Sequence, residues 1–219
     1  MLQRSAGGRF LELVLFTTSS LVLYHIGNQV GIGFLVFLIP LQVVASRRGE
    51  ASLLASCGLF LLVFLALRLV PFLGGQLTPD ILTVVEMILV GSLLAALLVV
   101  NLPPLARVRA LYRLLGVSAL AALAAVPVTA WLSGNAQFQA AMGALFAEAS
   151  RMITSLFTGG QDVTDSALSS LLSPAGIRKM SEMFLSRSAL VLFFGLLSFS
   201  WWAGQSSASR SVPEYAFRA

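Results

Sequence analysis

Six uninterrupted apolar runs dominate this sequence and leave few folds open to it. Each run holds 17 to 23 residues, which is about what an α-helix needs to cross a hydrocarbon core of about 30 Å. None of the runs alternates between apolar and polar residues, as the strands of a membrane β-barrel do. The pattern therefore predicts an all-α, polytopic membrane protein with six transmembrane helices, over residues 10–27, 30–46, 51–73, 81–101, 114–132 and 188–204.

The composition excludes a soluble protein. Only 11% of the residues are charged and the mean hydropathy is +0.91, whereas roughly a quarter of the residues in a soluble domain are charged. We interpret residues 1–219 as a single transmembrane domain. The polar ending SVPEYAFRA leaves open whether the chain is truncated after Ala219.

Arginines are distributed unevenly among the segments that connect the runs. They lie before the first run, after the second, after the fourth and in the tail, whereas the loop at 74–80 carries only Asp80. Short cytoplasmic loops are enriched in Lys and Arg, and with six spans every short arginine-bearing segment falls on one side. We therefore expect a protein of the bacterial inner membrane with both termini in the cytoplasm. The residues that set this topology are Arg47, Arg48, Arg107, Arg109 and Arg113.

The net charge of +5 does not indicate a nucleic-acid partner. The arginines lie in short clusters between apolar runs and form no continuous basic patch. The partner that the sequence predicts directly is the lipid bilayer.

One connecting segment, residues 133–187, is long and is predicted to be extracytoplasmic. Apolar residues recur at helical spacing from Phe138 to Leu156, which is typical of an amphipathic helix. Ser173 and Pro174 fit the N-cap and first position of a further helix, which we expect to continue into the last span and project beyond the bilayer. Two interpretations are open: a passive linker on the lipid surface, or a lid over an outward-facing cavity.

Four ionisable residues fall within the predicted spans, where a charge is costly and often functional. Arg68 lies five residues before the outer end of the third run, and Glu86 lies five residues after the start of the fourth. We expect these two side chains at the same depth, either as a structural ion pair or as ligands for a polar substrate. Glu12, near the cytoplasmic end, is expected to meet Arg9 or a loop arginine.

The fourth ionisable residue, His25, is expected on the same side of the membrane as Arg68 and Glu86. His25 lies near the outer end of the first run and is followed by two amides. Two interpretations are open: His25 is a histidine at the membrane interface, or it is part of a binding site. The candidate ligand-binding residues are therefore His25, Asn28, Gln29, Arg68 and Glu86.

Motifs of enzymes are missing from the sequence. It has no Gly-rich phosphate loop, no H-E-x-x-H and no G-x-S-x-G. One histidine and one cysteine supply no recognisable metal-ligand spacing, and all three aspartates lie outside the predicted spans. We therefore expect no catalysis, no metal site and no cofactor.

A proline within the second run, followed by SRRGEASLLAS at the start of the third, resembles the YybS-like family of predicted bacterial membrane proteins. That family is similar to the substrate-binding S components of energy-coupling factor (ECF) transporters. The long outer segment before LVLFFGLLSFSWWAG fits the same layout. The resemblance covers most of the chain and rests on the hydropathy pattern and a short Pro…R-x-G turn.

This resemblance implies a six-helix, S-component-like fold with a ligand pocket near the outer face. It also implies recognition of a small-molecule substrate for transport, with a transmembrane coupling subunit and ATPases as partners. The alternative is a non-transporting membrane scaffold in envelope assembly or division. In that case residues 133–187 and the arginine-bearing loops are the partner surfaces.

Overall fold

The computed structural model describes residues 6–29, 32–73, 80–158 and 170–211, and these residues form helices and short connections with no strand among them. The all-α prediction is confirmed for this part of the chain. The elements are α1 (Ala6–Gln29), α2 (Gly33–Val36), α3 (Leu38–Arg48), α4 (Glu50–Leu73), α5 (Ile81–Val100), a 3₁₀ helix (Pro103–Arg107), α6 (Ala110–Gly134), α7 (Ala136–Thr158) and α8 (Pro174–Ser211).

Five of these helices contain stretches that are long and apolar enough to cross a membrane. A third or less of each stretch is buried inside the protein, so most of its surface is available to lipid. They correspond to five of the six predicted runs. The stretches are Phe10–Gln29, Glu50–Val70, Ile81–Val100, Ala110–Gly134 and Ser188–Ser209.

The predicted second span is the exception. The sequence predicts one helix over residues 30–46, whereas the described part of this run contains two shorter helices, α2 and α3, which meet at Phe37. Pro40 explains the break, because its ring nitrogen has no hydrogen to donate to the carbonyl of Val36 and its ring crowds that carbonyl. Helix α3 has 11 residues, too few to cross a bilayer alone.

The broken segment lies at the centre of the bundle. Helix α3 packs against α1, α4 and α8, and α2 packs against α1 and α8. Phe37, Leu38 and Leu41 are fully buried there. The rest of the core comes mainly from α4 and α5, with Leu53, Phe60, Val90, Leu93 and Leu97.

The arginine-bearing connections lie together at one end of the bundle, which we call the arginine end. The first of them turns at Gly49, whose φ of 82° suits glycine. The second follows α5, and Asn101 at its start is hydrogen-bonded to Gln42 of α3. Arg4 and Arg218, which the orientation argument also uses, lie outside the described residues.

The outer segment forms a helical hairpin as far as it is described. Helix α7 packs against α5, α6 and α8, and Ser150 donates a hydrogen bond to the carbonyl of Leu172 (2.5 Å). Helix α8 begins at Pro174, and the backbone N–H of Gly176 donates to Ser173 Oγ (3.0 Å). The predicted N-cap is therefore confirmed, and α8, at 38 residues, is longer than a bilayer is thick.

The apolar stripe of α7 is divided between two surroundings. Phe138, Met142 and Phe146 are partly buried against the bundle. Leu145, Met152 and Leu156 are 49%, 57% and 82% exposed. The exposed edge suits a helix that rests on lipid as well as on protein, and residues 159–169 of the segment lie outside the described part.

Candidate ligand-binding site

Arg68 and Glu86, which were predicted to lie at equal depths, meet in the structure. The guanidinium Nη2 of Arg68 on α4 donates a hydrogen bond to Glu86 Oε1 on α5. The hydroxyl of Tyr24 on α1 donates to the same oxygen. One carboxylate oxygen therefore joins three helices, and we call these three residues the outer triad.

The outer triad rests on a cluster of phenylalanines. The ring of Tyr24 makes edge-to-face contacts with four of them, at centroid distances of 5.4 to 6.4 Å. The guanidinium carbon of Arg68 lies 5.7 Å from the centre of the Phe64 ring, within the range of a cation–π contact. The phenylalanines are Phe34, Phe37, Phe60 and Phe64.

The triad is only partly shielded. The side chain of Arg68 is 30% exposed and that of Glu86 is 16% exposed. The bond to Glu86 uses one of the five N–H groups of the Arg68 guanidinium. The site can therefore present hydrogen-bond donors, and a carboxylate, to a polar or charged group that approaches from the exposed side.

The other three candidate residues are not part of this cluster. His25, Asn28 and Gln29 are exposed at the end of α1, and no hydrogen bond joins them to Arg68 or Glu86 within the described residues. His25 follows Tyr24 directly, so the helix turns it away from the side on which Tyr24 meets Glu86. The structure thus brings together two of the five candidates and adds a residue that the sequence analysis missed.

Tyr24 was missed because the sequence analysis considered only charged residues, the histidine and the two amides that follow it at this end of the bundle. A usable signal is present in the sequence. A buried tyrosine hydroxyl needs a hydrogen-bond partner, and Tyr24 lies near the outer end of the first run, where Arg68 and Glu86 are also expected. Its ring is 3% exposed.

Glu12 lies at the opposite end of the bundle and pairs with arginines of the first connection. Arg48 Nη2 donates to Glu12 Oε2, and Arg47 Nη1 lies 3.6 Å from Glu12 Oε1. The expected partnership with a loop arginine is therefore confirmed, while the side chain of Arg9 lies outside the described residues. Two of the arginines assigned to topology thus also hold α1 against α3.

Two of the remaining topology residues lie in the second arginine-bearing connection, and Arg113 lies in the first turns of α6. Arg107 and Arg109 are exposed, and Arg113 Nη1 donates to the carbonyl of Val100 (3.3 Å). Arg107 and Arg109 therefore lie at the surface of the arginine end.

A second polar contact that the sequence analysis missed lies near the arginine end. Gln42 Nε2 donates to Asn101 Oδ1 (3.2 Å), and Asn101 Nδ2 donates to Gln42 Oε1 (2.9 Å). Gln42 is completely buried, so this reciprocal pair satisfies amides that would otherwise lack partners. Both are polar residues that interrupt apolar stretches of the sequence, and this pattern could have identified them.

The described residues contain no group of three or more His, Cys, Asp and Glu side chains that could hold a metal ion. A scan against protein-family models, a search of curated proteins and a search of solved structures each gave no match to this chain.

Proposed function

We propose that this chain is a multi-pass protein of the bacterial inner membrane that recognises a small molecule for transport, in the manner of the S components that its sequence layout resembles. The binding site lies around Arg68 and Glu86. The substrate carries at least one charged or strongly polar group, because only such a group compensates for separating the two side chains.

The observation that carries this proposal is the outer triad. Replacing a shielded ion pair with well-packed apolar residues is often neutral or stabilising, so stability alone is a weak reason to keep Arg68 and Glu86 among apolar helices. Ionisable residues in such positions are commonly part of a substrate or ion path. Because Glu86 Oε1 joins α1, α4 and α5, a substrate that competes for this oxygen changes the contacts of three helices.

The same proposal includes six membrane crossings with both termini cytoplasmic. Helices α2 and α3 run back along α1: Ile32 N donates to Gly27 O (2.8 Å) at one end, and Arg48 binds Glu12 at the other. Together they cover nearly the same depth as the spanning part of α1. A broken helix at membrane depth is tolerated when it is surrounded by protein, as this one is.

A second candidate is a non-transporting scaffold in envelope assembly or division. It is favoured by the direct contact between Arg68 and Glu86, since two charges that neutralise each other need no ligand. Residues 133–187 and the arginine-bearing connections then supply the partner surfaces.

The experiment that separates the two candidates is purification of the tagged protein from its native membrane in mild detergent, followed by mass spectrometry. We expect a bound small molecule, or a coupling membrane subunit with ATPases, to accompany the protein. Recovery of envelope or division proteins without a small molecule would reject transport and support the scaffold.

A matched pair of variants then locates the site. Arg68→Gln with Glu86→Gln is expected to lower retention of the small molecule by about tenfold, equivalent to about 1.4 kcal/mol. Arg151→Gln with Glu148→Gln removes an exposed ion pair (75% and 51%) within a single helix and should leave retention unchanged. If the first double variant retains every ligand interaction, the proposed site is wrong.

A further inference from the structure

A crevice at the arginine end has the features of a phospholipid site. It is bounded by α1, α3 and α4. Its apolar wall is formed by Leu13, Phe16 and Val44. Glu12, Arg48 and Ser52 form the rest of the lining, so apolar and polar surfaces meet within one site.

Arg48 keeps hydrogen-bonding capacity toward the crevice. Its bond to Glu12 uses one of five N–H groups, and no other hydrogen bond joins it to the described residues. The side chain is 25% exposed. A guanidinium binds a phosphate through two parallel hydrogen bonds, and Arg48 can make such contacts without leaving Glu12.

Ser52 adds a second polar contribution. It lies in the first turn of α4, which begins at Glu50. The leading N–H groups of a helix have no partners within the helix, and they carry the positive end of its dipole. Ser52 therefore brings a hydroxyl and this helix end to the lining of the crevice.

We propose that this crevice binds one anionic phospholipid, with its phosphate at Arg48 and Ser52 and the start of an acyl chain against Leu13, Phe16 and Val44. Basic pockets between transmembrane helices favour anionic headgroups. A lipid explains the apolar wall, which a free phosphate would leave unused. This inference requires only that the chain is embedded in a membrane, and it stands or falls independently of the transport proposal.

Native mass spectrometry of the full chain in mild detergent, with equal amounts of phosphatidylglycerol and phosphatidylcholine, tests the proposal. We expect phosphatidylglycerol to be retained in preference. Arg48→Gln should lower its retention by about fivefold. The control, Arg109→Gln, removes the same charge from an exposed position at the same end and should retain the lipid.

A third variant distinguishes lost binding from lost structure. Glu12→Gln removes the carboxylate that competes with phosphate for Arg48, so phosphatidylglycerol retention should rise, whereas general damage to the fold would lower it. Equal retention of the two lipids, equal losses in Arg48→Gln and Arg109→Gln, or no rise in Glu12→Gln would each overturn the proposal. Displacement of the lipid by millimolar inorganic phosphate would identify a phosphate site and would also overturn it.

Discussion

Pro40 removes a hydrogen bond from the centre of the bundle, and serines on neighbouring helices donate to the backbone carbonyls near the break. Ser20 Oγ of α1 donates to the carbonyl of Phe37, and Ser200 Oγ of α8 lies 3.5 Å from the carbonyl of Leu35. Both serines are fully buried. Pro40 leaves the carbonyl of Val36 without its usual donor, and the two serines bind the carbonyls on either side of it, so they support the backbone next to the break.

Ser20→Ala should therefore destabilise the protein, because the carbonyl of Phe37 loses its donor in a buried site. The expected loss in the free energy of unfolding is about 0.5–2 kcal/mol, measured by unfolding in mixed detergent micelles. The adjacent Ser19→Ala is the control, since Ser19 Oγ bonds only to the carbonyl of Leu15 in its own helix. Equal losses in the two variants would show that the bond to Phe37 has no special role.

The arrangement of the helices depends on a close approach between α3 and α8. A Cβ atom added at Gly204 would lie 2.6 Å from Cβ and from Cγ of Gln42, and Gln42 is held in place by its reciprocal amide pair with Asn101. Small residues permit such contacts between membrane helices. Gly204 therefore fixes how near α8 comes to the broken central segment.

Gly204→Ala should push α3 and α8 apart and lower the free energy of unfolding by about 1–3 kcal/mol. Gly195→Ala, in the same helix, is the matched control, because an added Cβ there meets nothing within 4 Å. This control should be neutral or stabilising by up to about 1 kcal/mol, since alanine is the better helix former. Gly204→Ala would contradict the described contact if it were as stable as the wild type.

Across the whole molecule, charge is divided between two ends. Glu12, Arg47 and Arg48 lie at the arginine end, and the outer triad lies at the other. This division follows from helices that run antiparallel with short connections. The direction in which α2 and α3 carry the chain decides whether there are six crossings or five.

Cysteine labelling measures this direction. In a Cys57→Ala background, we expect Asn28→Cys and Gln137→Cys to react with a membrane-impermeant maleimide in intact spheroplasts. Ala51→Cys and Ala106→Cys should react only after permeabilisation. All four positions are exposed, so a difference reports the side of the membrane. Labelling of Ala51→Cys in intact spheroplasts would show that α2 and α3 do not cross.

The features that the sequence predicted correctly depend only on the positions of residues along the chain. Run length and hydropathy gave the helical membrane class, and distance from the ends of two neighbouring runs placed Arg68 and Glu86 at one depth. The Ser173–Pro174 helix start was predictable because a cap involves only the first turn. Such features require no knowledge of how any helix is rotated.

The tertiary structure alone decided which side chains meet. Tyr24 binds Glu86, Gln42 binds Asn101 and Ser20 binds Phe37 because particular faces of different helices point toward each other. The sequence of an apolar run reveals little about these faces. The residues that face lipid and those that face the protein interior are similarly apolar, so hydrophobicity shows almost no helical periodicity. The sequence by itself therefore determined the class of the protein and the depth of its charges, whereas packing determined the partners, the break at Phe37 and the site around Glu86.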